Sequence, residues 1–124
     1  MAPRPLALLN ARLVDPASGQ DAPGALLVKN GKIADVVFGG ELGGLSDEIE
    51  TIDARGAMLA PGLIDLRVKT GEPGAEPKET LKSAALSAAA GGVTTLVIQP
   101  DTAPAVDDPA MVDFIQRRGA ALGL

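Results

Sequence analysis

The first 60 residues carry short apolar runs separated by turn-forming residues, a pattern that predicts β-structure. The apolar run Leu6–Val14 ends at an Asp-Pro pair, which favours a strand followed by a turn. Two further apolar runs, residues 25–29 and 32–37, flank Asn30-Gly31, the strongest short-range sequence signal for a β-hairpin. Residues 50–53 alternate weakly between apolar and polar side chains and predict one more short strand.

The pattern changes at Pro61-Gly62, where strand-like and helix-like segments begin to alternate. Residues 63–69 alternate between apolar and charged side chains, which predicts a strand with one apolar and one charged face. Residues 93–98 form a run rich in β-branched side chains. Such a run is typical of a strand that is covered on both faces, as in a parallel sheet. The charged face of the first strand carries Asp65, Arg67 and Lys69.

Two helices are predicted in this second part of the chain. The first begins near Pro77, has Glu79 in its first turn close to the positive end of the helix dipole, and ends at Gly91-Gly92. The second begins at Asp108-Pro109 and ends near Gly119. The apolar positions expected to face inward are Leu81, Ala84, Ala85, Ala88 and Ala89 in the first helix and Met111, Val112 and Ile115 in the second.

The order strand, helix, strand, helix is the repeating unit of parallel α/β folds. Two such units do not close a sheet or a barrel, and residues 120–124 have the composition of an approach to a third strand. We therefore predict an α/β fold in two parts. Residues 1–60 form a small β-sandwich segment, and residues 61–124 form the truncated start of a larger barrel, so that the chain is a fragment.

The composition excludes several classes of function. The 124 residues include no Cys and no His, which excludes thiolate nucleophiles, imidazole metal ligands and Ser-His-Asp triads. A net charge of −5 and only two aromatic residues argue against nucleic-acid binding. No apolar run approaches the roughly 18 residues of a membrane span, and the N-terminus lacks a signal-peptide pattern. We expect a cytoplasmic protein that binds neither nucleic acid nor membrane.

Four segments of the second part match a set of motifs in order and spacing. Residues 61–74, from Pro61 to Gly74, follow the pattern P-G-x-I-D-x-H-V-H-L-R-x-P-G. Residues 78–80 correspond to a Lys-Glu motif, residues 89–95 to an Ala- and Gly-rich motif that ends in Thr-Thr, and residues 99–104 to M-P-N-T-x-P. Through these motifs the chain resembles the cyclic amidohydrolases, and their dihydroorotase branch in particular.

The resemblance implies a (β/α)8 TIM barrel that follows a small β-sandwich, with zinc bound by the two histidines of the first motif. Arg67 and Lys69 stand at those two positions in this chain. Arginine has no lone pair to donate and lysine must first lose a proton, so we expect no bound metal. Gly71 stands at the family's substrate-binding arginine and Asp101 at its asparagine, which predicts a degenerate substrate site.

The reaction implied by the resemblance is the reversible ring closure of N-carbamoyl-L-aspartate to dihydroorotate in pyrimidine biosynthesis. The departures predict that this chain is inactive and serves as a structural or regulatory partner, with aspartate transcarbamoylase as the candidate by family analogy. One alternative is the N-terminal portion of an active amidohydrolase with a rebuilt site, so whether the chain is an enzyme stays open. A free-standing acidic binding module is a third hypothesis. Open strand edges predict a homo-oligomer or attachment to the remainder of a barrel.

Other charged residues have plainer structural interpretations. The three charged side chains of the first strand are expected to form an ion cluster inside the barrel; the alternatives are a relict anion site and a catalytic base at Lys69. Asp107 and Asp108 cap the second helix, and Arg117 and Arg118 complement its dipole. A solvated acidic rim is expected from Glu72, Glu76 and Glu79.

Overall fold

The computed structural model describes residues 4–122, which form two compact units that divide between Pro61 and Gly62. In the described part of the chain, the first unit contains five strands and the second contains two strands and two helices. The elements are β1 Leu6–Asp15, β2 Gln20–Lys29, β3 Lys32–Phe38, β4 Glu50–Asp53, β5 Met58–Leu59, β6 Leu63–Val68, α1 Leu81–Ala90, β7 Val93–Ile98 and α2 Pro109–Ala121.

The first unit is one mixed sheet in the order β3-β2-β1-β4, with the two-residue strand β5 also paired to β1. The predicted hairpin joins β2 to β3, and Asn30 (φ 53°) and Gly31 (φ 72°) both take the left-handed conformation that a tight hairpin turn requires. β4 and β5 run parallel to β1. The described residues of this unit supply a single sheet, so only one layer of the expected sandwich lies within them.

A β-bulge divides the long strand β1. Leu8 pairs with Leu26 and Ala11 pairs with Gly24, so β1 uses one residue more than β2 over the same stretch. Asn10 lies in the bulge with φ 54°, and its side-chain amide donates a 3.0 Å hydrogen bond to Asp53 on β4. The small core of the unit consists of Ala7, Ala11, Leu13, Ala25 and Leu27.

The second unit is a β-α-β-α segment in which β6 and β7 are parallel and hydrogen-bonded. Helix α1 begins at Leu81, so the predicted start near Pro77 is wrong. Thr80 is the N-cap: its hydroxyl accepts from the Ser83 backbone N–H, and the Ser83 hydroxyl accepts in return from the Thr80 backbone N–H. This reciprocal pair fixes the first turn, and Glu79 consequently precedes the helix. The predicted end is confirmed, because Gly91 is the C-cap.

Helix α2 begins as predicted, with the Asp108 carboxylate accepting a 2.9 Å hydrogen bond from the Met111 backbone N–H. It continues through Gly119 to Ala121, beyond its predicted end. None of its residues is buried, and Val112, expected to face inward, is 43% exposed. Neither helix in the described residues has the length and apolar content needed to cross a bilayer.

Two further burial patterns expected in the second unit are wrong. Thr94, Thr95 and Val97 of β7 are exposed, although its sequence predicts cover on both faces. Ala89 of α1 is exposed as well, whereas Leu81, Ala84 and Ala85 are buried as predicted. The reason is that the described residues provide a two-stranded sheet with α1 packed on it, which covers one face only.

Gly24 provides a test of the packing in the first sheet. A Cβ atom added there would lie 2.0 Å from the Val37 carbonyl oxygen and 2.7 Å from Leu13 Cδ1, so the neighbouring strand must shift. We expect Gly24→Ala to lower the free energy of unfolding by about 1–3 kcal/mol, measured by urea unfolding with circular dichroism. Gly43→Ala is the matched control, because no atom lies within 4 Å of its added Cβ. Equal stability of the two variants would contradict the packing described here.

Candidate functional site

The candidate site lies where β6 and β7 end. Because parallel strands end at the same edge of a sheet, the segments that follow them are neighbours. The segment after β6, residues 69–80, is called the site loop here and leads into α1. The segment after β7 carries Asp101 and leads into α2. Three of the four site residues predicted from the sequence, Lys69, Gly71 and Asp101, therefore lie at this edge, and Arg67 lies on β6 just before it.

Lys69 and Asp101 form an ion pair between the two segments, Nζ to Oδ2. Both side chains are largely exposed, at 70% and 48% of their surface, so solvent screens the pair. The hydrogen bond from the Lys69 ammonium, together with its charge and the charge of Arg67, lowers the pKa of the Asp101 carboxyl below its ordinary value. Thus two of the predicted site residues neutralise each other.

The expected ion cluster of Asp65, Arg67 and Lys69 is wrong. The Asp65 carboxylate accepts a 2.9 Å hydrogen bond from the backbone N–H of Arg67 instead of pairing with a cationic side chain. All three residues are exposed in the part of the sheet that the described residues supply. The physical reason is that Lys69 pairs with Asp101, which follows the neighbouring strand β7, and not with Asp65, which lies four residues back on its own strand.

The donor set at this edge does not fit zinc. Zinc sites use Cys, His, Asp or Glu ligands, and no three such residues come together anywhere among residues 4–122. At the two positions nearest the strand end, Arg67 has no lone pair and the Lys69 ammonium already donates to Asp101. A divalent cation would therefore meet two positive charges and a carboxylate that is already paired. No metal-dependent step can be assigned to these residues.

Gly71 is enclosed by the backbone of the site loop. A Cβ atom added at this position would lie 2.3 Å from the Ala75 carbonyl oxygen and 2.6 Å from the Glu79 carbonyl oxygen. The Gly71 carbonyl in turn accepts a 2.5 Å hydrogen bond from the Ala75 backbone N–H, which closes the turn. Because backbone atoms fill the space, no side chain fits at position 71 without a change in the loop.

Glu72 is the residue that sequence reasoning missed. It was expected in a solvated rim, but it is only 4% exposed. Its Oε2 accepts a 2.9 Å hydrogen bond from the backbone N–H of Leu81, the first residue of α1. Its Oε1 accepts a 2.8 Å hydrogen bond from Nε of Arg118 near the end of α2. The carboxylate thus joins the site loop to both helices.

The other two acidic residues of the predicted rim make local contacts. Glu76 is exposed, and its carboxylate accepts a 2.9 Å hydrogen bond from the Gly74 backbone N–H. This bond lowers the pKa of the Glu76 carboxyl below its ordinary value. The Glu79 carboxylate accepts from the Ser83 hydroxyl at the start of α1. Of the three residues predicted to form a solvated acidic rim, only Glu76 is exposed; Glu72 is buried and Glu79 is half-buried.

Two solved structures, an L-hydantoinase and a molinate hydrolase, share the fold of this chain. The L-hydantoinase (dihydropyrimidinase) of Arthrobacter aurescens superposes with a TM-score of 0.80 over 94% of this chain and 25% of its own, at 25% identity. A molinate hydrolase superposes with a TM-score of 0.69 over 98% of this chain and 28% of its own, at 21% identity. This fold class is the amidohydrolase class that the motifs predicted.

Sequence comparison narrows the class to one family. A family model described as dihydro-orotase-like matches residues 56–122. A dihydroorotase of Wolbachia sp. subsp. Drosophila simulans (strain wRi) is 47% identical over 91% of this chain and 25% of its own length. A dihydroorotase of Ehrlichia chaffeensis is 45% identical over 91% of this chain and 26% of its own length. The chain belongs to the dihydroorotase-like family and spans about a quarter of the length of these relatives.

The Lys69–Asp101 pair can be tested by carboxyl titration. We expect Lys69→Met to raise the pKa of Asp101 towards its ordinary value, measured by carbon-13 NMR of the carboxyl group. In the unchanged protein the pair contributes its stabilisation above the unfolded-state pKa and loses it as pH falls through the lowered folded-state value. Asp21, whose pKa is lowered by a hydrogen bond from Arg12, is the internal control and keeps its pKa. An Asp101 pKa that does not move would show that the pair does not form.

Proposed function

We propose that this chain is the opening portion of a dihydroorotase-like amidohydrolase that lacks the catalytic metal site and is inactive as an enzyme. The observation that supports this proposal most directly is the Lys69–Asp101 ion pair. In the alignment of motifs, Lys69 stands at a metal-ligand position and Asp101 at a substrate-binding position. Lys69 replaces a metal ligand and Asp101 replaces a substrate-binding amide, and the ion pair leaves neither charge free to bind a ligand.

The loss of the metal has a clear chemical consequence. In metal-assisted hydrolysis of a cyclic amide, a bound cation lowers the pKa of water and so generates the attacking hydroxide. Arg67 and Lys69 cannot supply this function, since neither offers a lone pair at neutral pH. The chain also has no His or Cys to provide a substitute ligand. The described residues therefore lack the imidazole ligands with which the family is expected to hold a water-activating metal.

Substrate binding is affected as well. N-carbamoyl-L-aspartate and dihydroorotate carry carboxylates, which the family's arginine would bind through paired hydrogen bonds. Gly71 stands at that position, and the surrounding backbone leaves no room for a side chain. Asp101 replaces a neutral amide with a carboxylate that is paired with Lys69 and offers no N–H donor. An anionic substrate has therefore lost both the cation and the amide donors of the family's site.

A structural or regulatory role in pyrimidine biosynthesis, in the cytoplasm, follows as the functional proposal. Aspartate transcarbamoylase stays the predicted partner by family analogy only. The alternative is a rebuilt active site on residues of a longer polypeptide, of which this chain is a part. That alternative is supported by the sequence identity to dihydroorotases over 91% of the chain, because scaffold residues have been kept.

The test of the proposal is an attempt to restore the site. We expect the double variant Arg67→His, Lys69→His, supplied with zinc, to hydrolyse dihydroorotate no faster than buffer, because positions 71 and 101 still oppose the substrate. The unchanged chain should also contain far less than one equivalent of zinc by elemental analysis. The Wolbachia relative, assayed under the same conditions, is the positive control. Turnover by the unchanged chain would refute the proposed inactivity, and turnover by the double variant would show that the substrate positions are misassigned.

The open sheet of the second unit predicts association. Leu66 is 70% exposed on β6, and Leu63 and Ile64 on the same strand are also exposed. Such unpaired strands and apolar surface favour pairing with another strand. We propose that this sheet is completed by another copy of the chain or by the remainder of a barrel.

Light scattering at micromolar concentration tests this proposal. The isolated chain is expected to give a mass above its monomer mass of 12.5 kDa. Leu66→Lys should lower the associated fraction because it places a charge on the exposed strand. Ile33→Lys is the matched control, since Ile33 is 64% exposed on β3 of the first unit. A monodisperse 12.5 kDa particle with a cooperative melting transition would contradict the proposal and favour a free-standing module.

A further inference from the structure

Helix α2 has an unusual mode of attachment to the second unit. None of its 13 residues is buried, so it contributes little apolar packing of the kind that fixes most helices. Met111 and Ile115 are half-buried, and Phe114 and Val112 are each 43% exposed. Helix α2 carries two arginines. Arg117 pairs with Asp113 on the same helix, so this pair does not attach α2 to another element. Arg118 donates a hydrogen bond to Glu72 in the site loop, and among the described residues this bond joins a side chain of α2 to the rest of the unit.

The Glu72 carboxylate is buried and needs hydrogen-bond donors from the protein. A carboxylate that is 4% exposed has lost most of its hydration and must be compensated by donors from the protein. Two donors do so: the Leu81 backbone N–H on one oxygen and the Arg118 guanidinium on the other. Within residues 4–122, Arg118 is the charged partner of Glu72. Removing it would leave an uncompensated charge, and the site loop would have to move Glu72 towards water.

A movement of Glu72 would also displace its neighbours in the loop. Gly71 precedes it directly and is held by the turn that the Ala75 N–H closes. The hydroxyl of Thr70 donates a 3.0 Å hydrogen bond to the Glu72 carbonyl. Pro73, on the other side, accepts a 3.3 Å bond from Ala103 in the segment after β7. The site loop is therefore hydrogen-bonded on both sides of Glu72, and through Pro73 it is joined to the segment after β7.

We infer that Arg118 is a positioning residue for the site loop and acts through Glu72, 46 positions earlier in the chain. The site loop and α2 form one cooperative unit that opens together when this pair is broken. The inference rests on the proposed function only in regarding residues 69–80 as the loop of a dihydroorotase-like site. It adds a residue on α2, outside the family motifs quoted above, to the residues that shape this site.

Hydrogen exchange of individual backbone amides in the full chain tests the inference. Arg118→Met keeps an unbranched apolar stem on the helix and removes the charge and the hydrogen-bond donors. We expect exchange to rise about tenfold in α2 and also at the amides of Ala75 and Leu81, since both lie in the network around Glu72. Arg117→Met is the matched control on the same helix and should change exchange at these two amides less than twofold. The paired amides of β1 and β2 serve as the internal reference.

A role of Arg118 confined to its own helix would give a different result. It would raise exchange in α2 but leave Ala75 and Leu81 unchanged, and that outcome would overturn the inference. Glu72→Gln keeps an acceptor for Leu81 but removes the charge, so it should raise exchange in α2 as Arg118→Met does. In the double variant the increase should not exceed that of either single change, because both act on one interaction. Additive increases would show that the two residues act separately.

Arg118→Lys covers the case in which Arg118→Met does not fold. It keeps the charge but loses the planar guanidinium, so exchange at the same amides should rise by less than tenfold and remain correlated between α2 and the loop. Uncorrelated changes would contradict the inference. The exchange measurement requires neither zinc nor substrate. Dihydroorotate turnover by the unchanged chain would therefore refute the proposed function and leave this inference intact. Unchanged exchange at the amides of Ala75 and Leu81 in Arg118→Met would refute this inference and leave the proposed function intact.

Discussion

The second unit depends on the burial of one carboxylate. Glu72 is only 4% exposed and has lost most of its hydration, so its two oxygens need donors, and those donors come from the first residue of α1 and from the end of α2. Leaving such a group unpaired costs on the order of 3–5 kcal/mol in fully buried cases, although Arg118 itself is partly exposed and the cost is correspondingly smaller. Besides the buried apolar side chains of α1, this requirement holds the loop against both helices.

Local sequence signals predicted most of the fold. The Asn30-Gly31 hairpin, the Gly91 C-cap and the Asp108 N-cap were all predicted, because each depends on residues within four positions of one another. The start of α1 was wrong because Pro77 suggested a first turn, whereas the Thr80–Ser83 capping box sets it. The cover of β7 was wrong for another reason. Its apolar run describes the environment of a strand in a complete sheet, and the described residues provide only part of one.

The sequence predicted residues near the ends of β6 and β7 but not the contacts between them. That the Arg67 and Lys69 side chains offer no lone pair at neutral pH follows from their chemistry alone. The Lys69–Asp101 pair was within reach of sequence reasoning, since both residues follow parallel strands and such ends are adjacent. The Glu72–Arg118 pair was not, because it joins positions 46 residues apart and no periodicity relates them. Nothing in the sequence separates Glu72 from Glu76, yet one is buried and the other is exposed.

The enclosed position of Gly71 has a consequence for redesign of the loop. With the loop closed around it, an arginine introduced there would clash with the Ala75 and Glu79 backbones before it could meet any ligand. A single substitution at position 71 would therefore strain the fold without creating a binding group. The backbone of residues 75–79 has to take another course before any side chain fits at position 71.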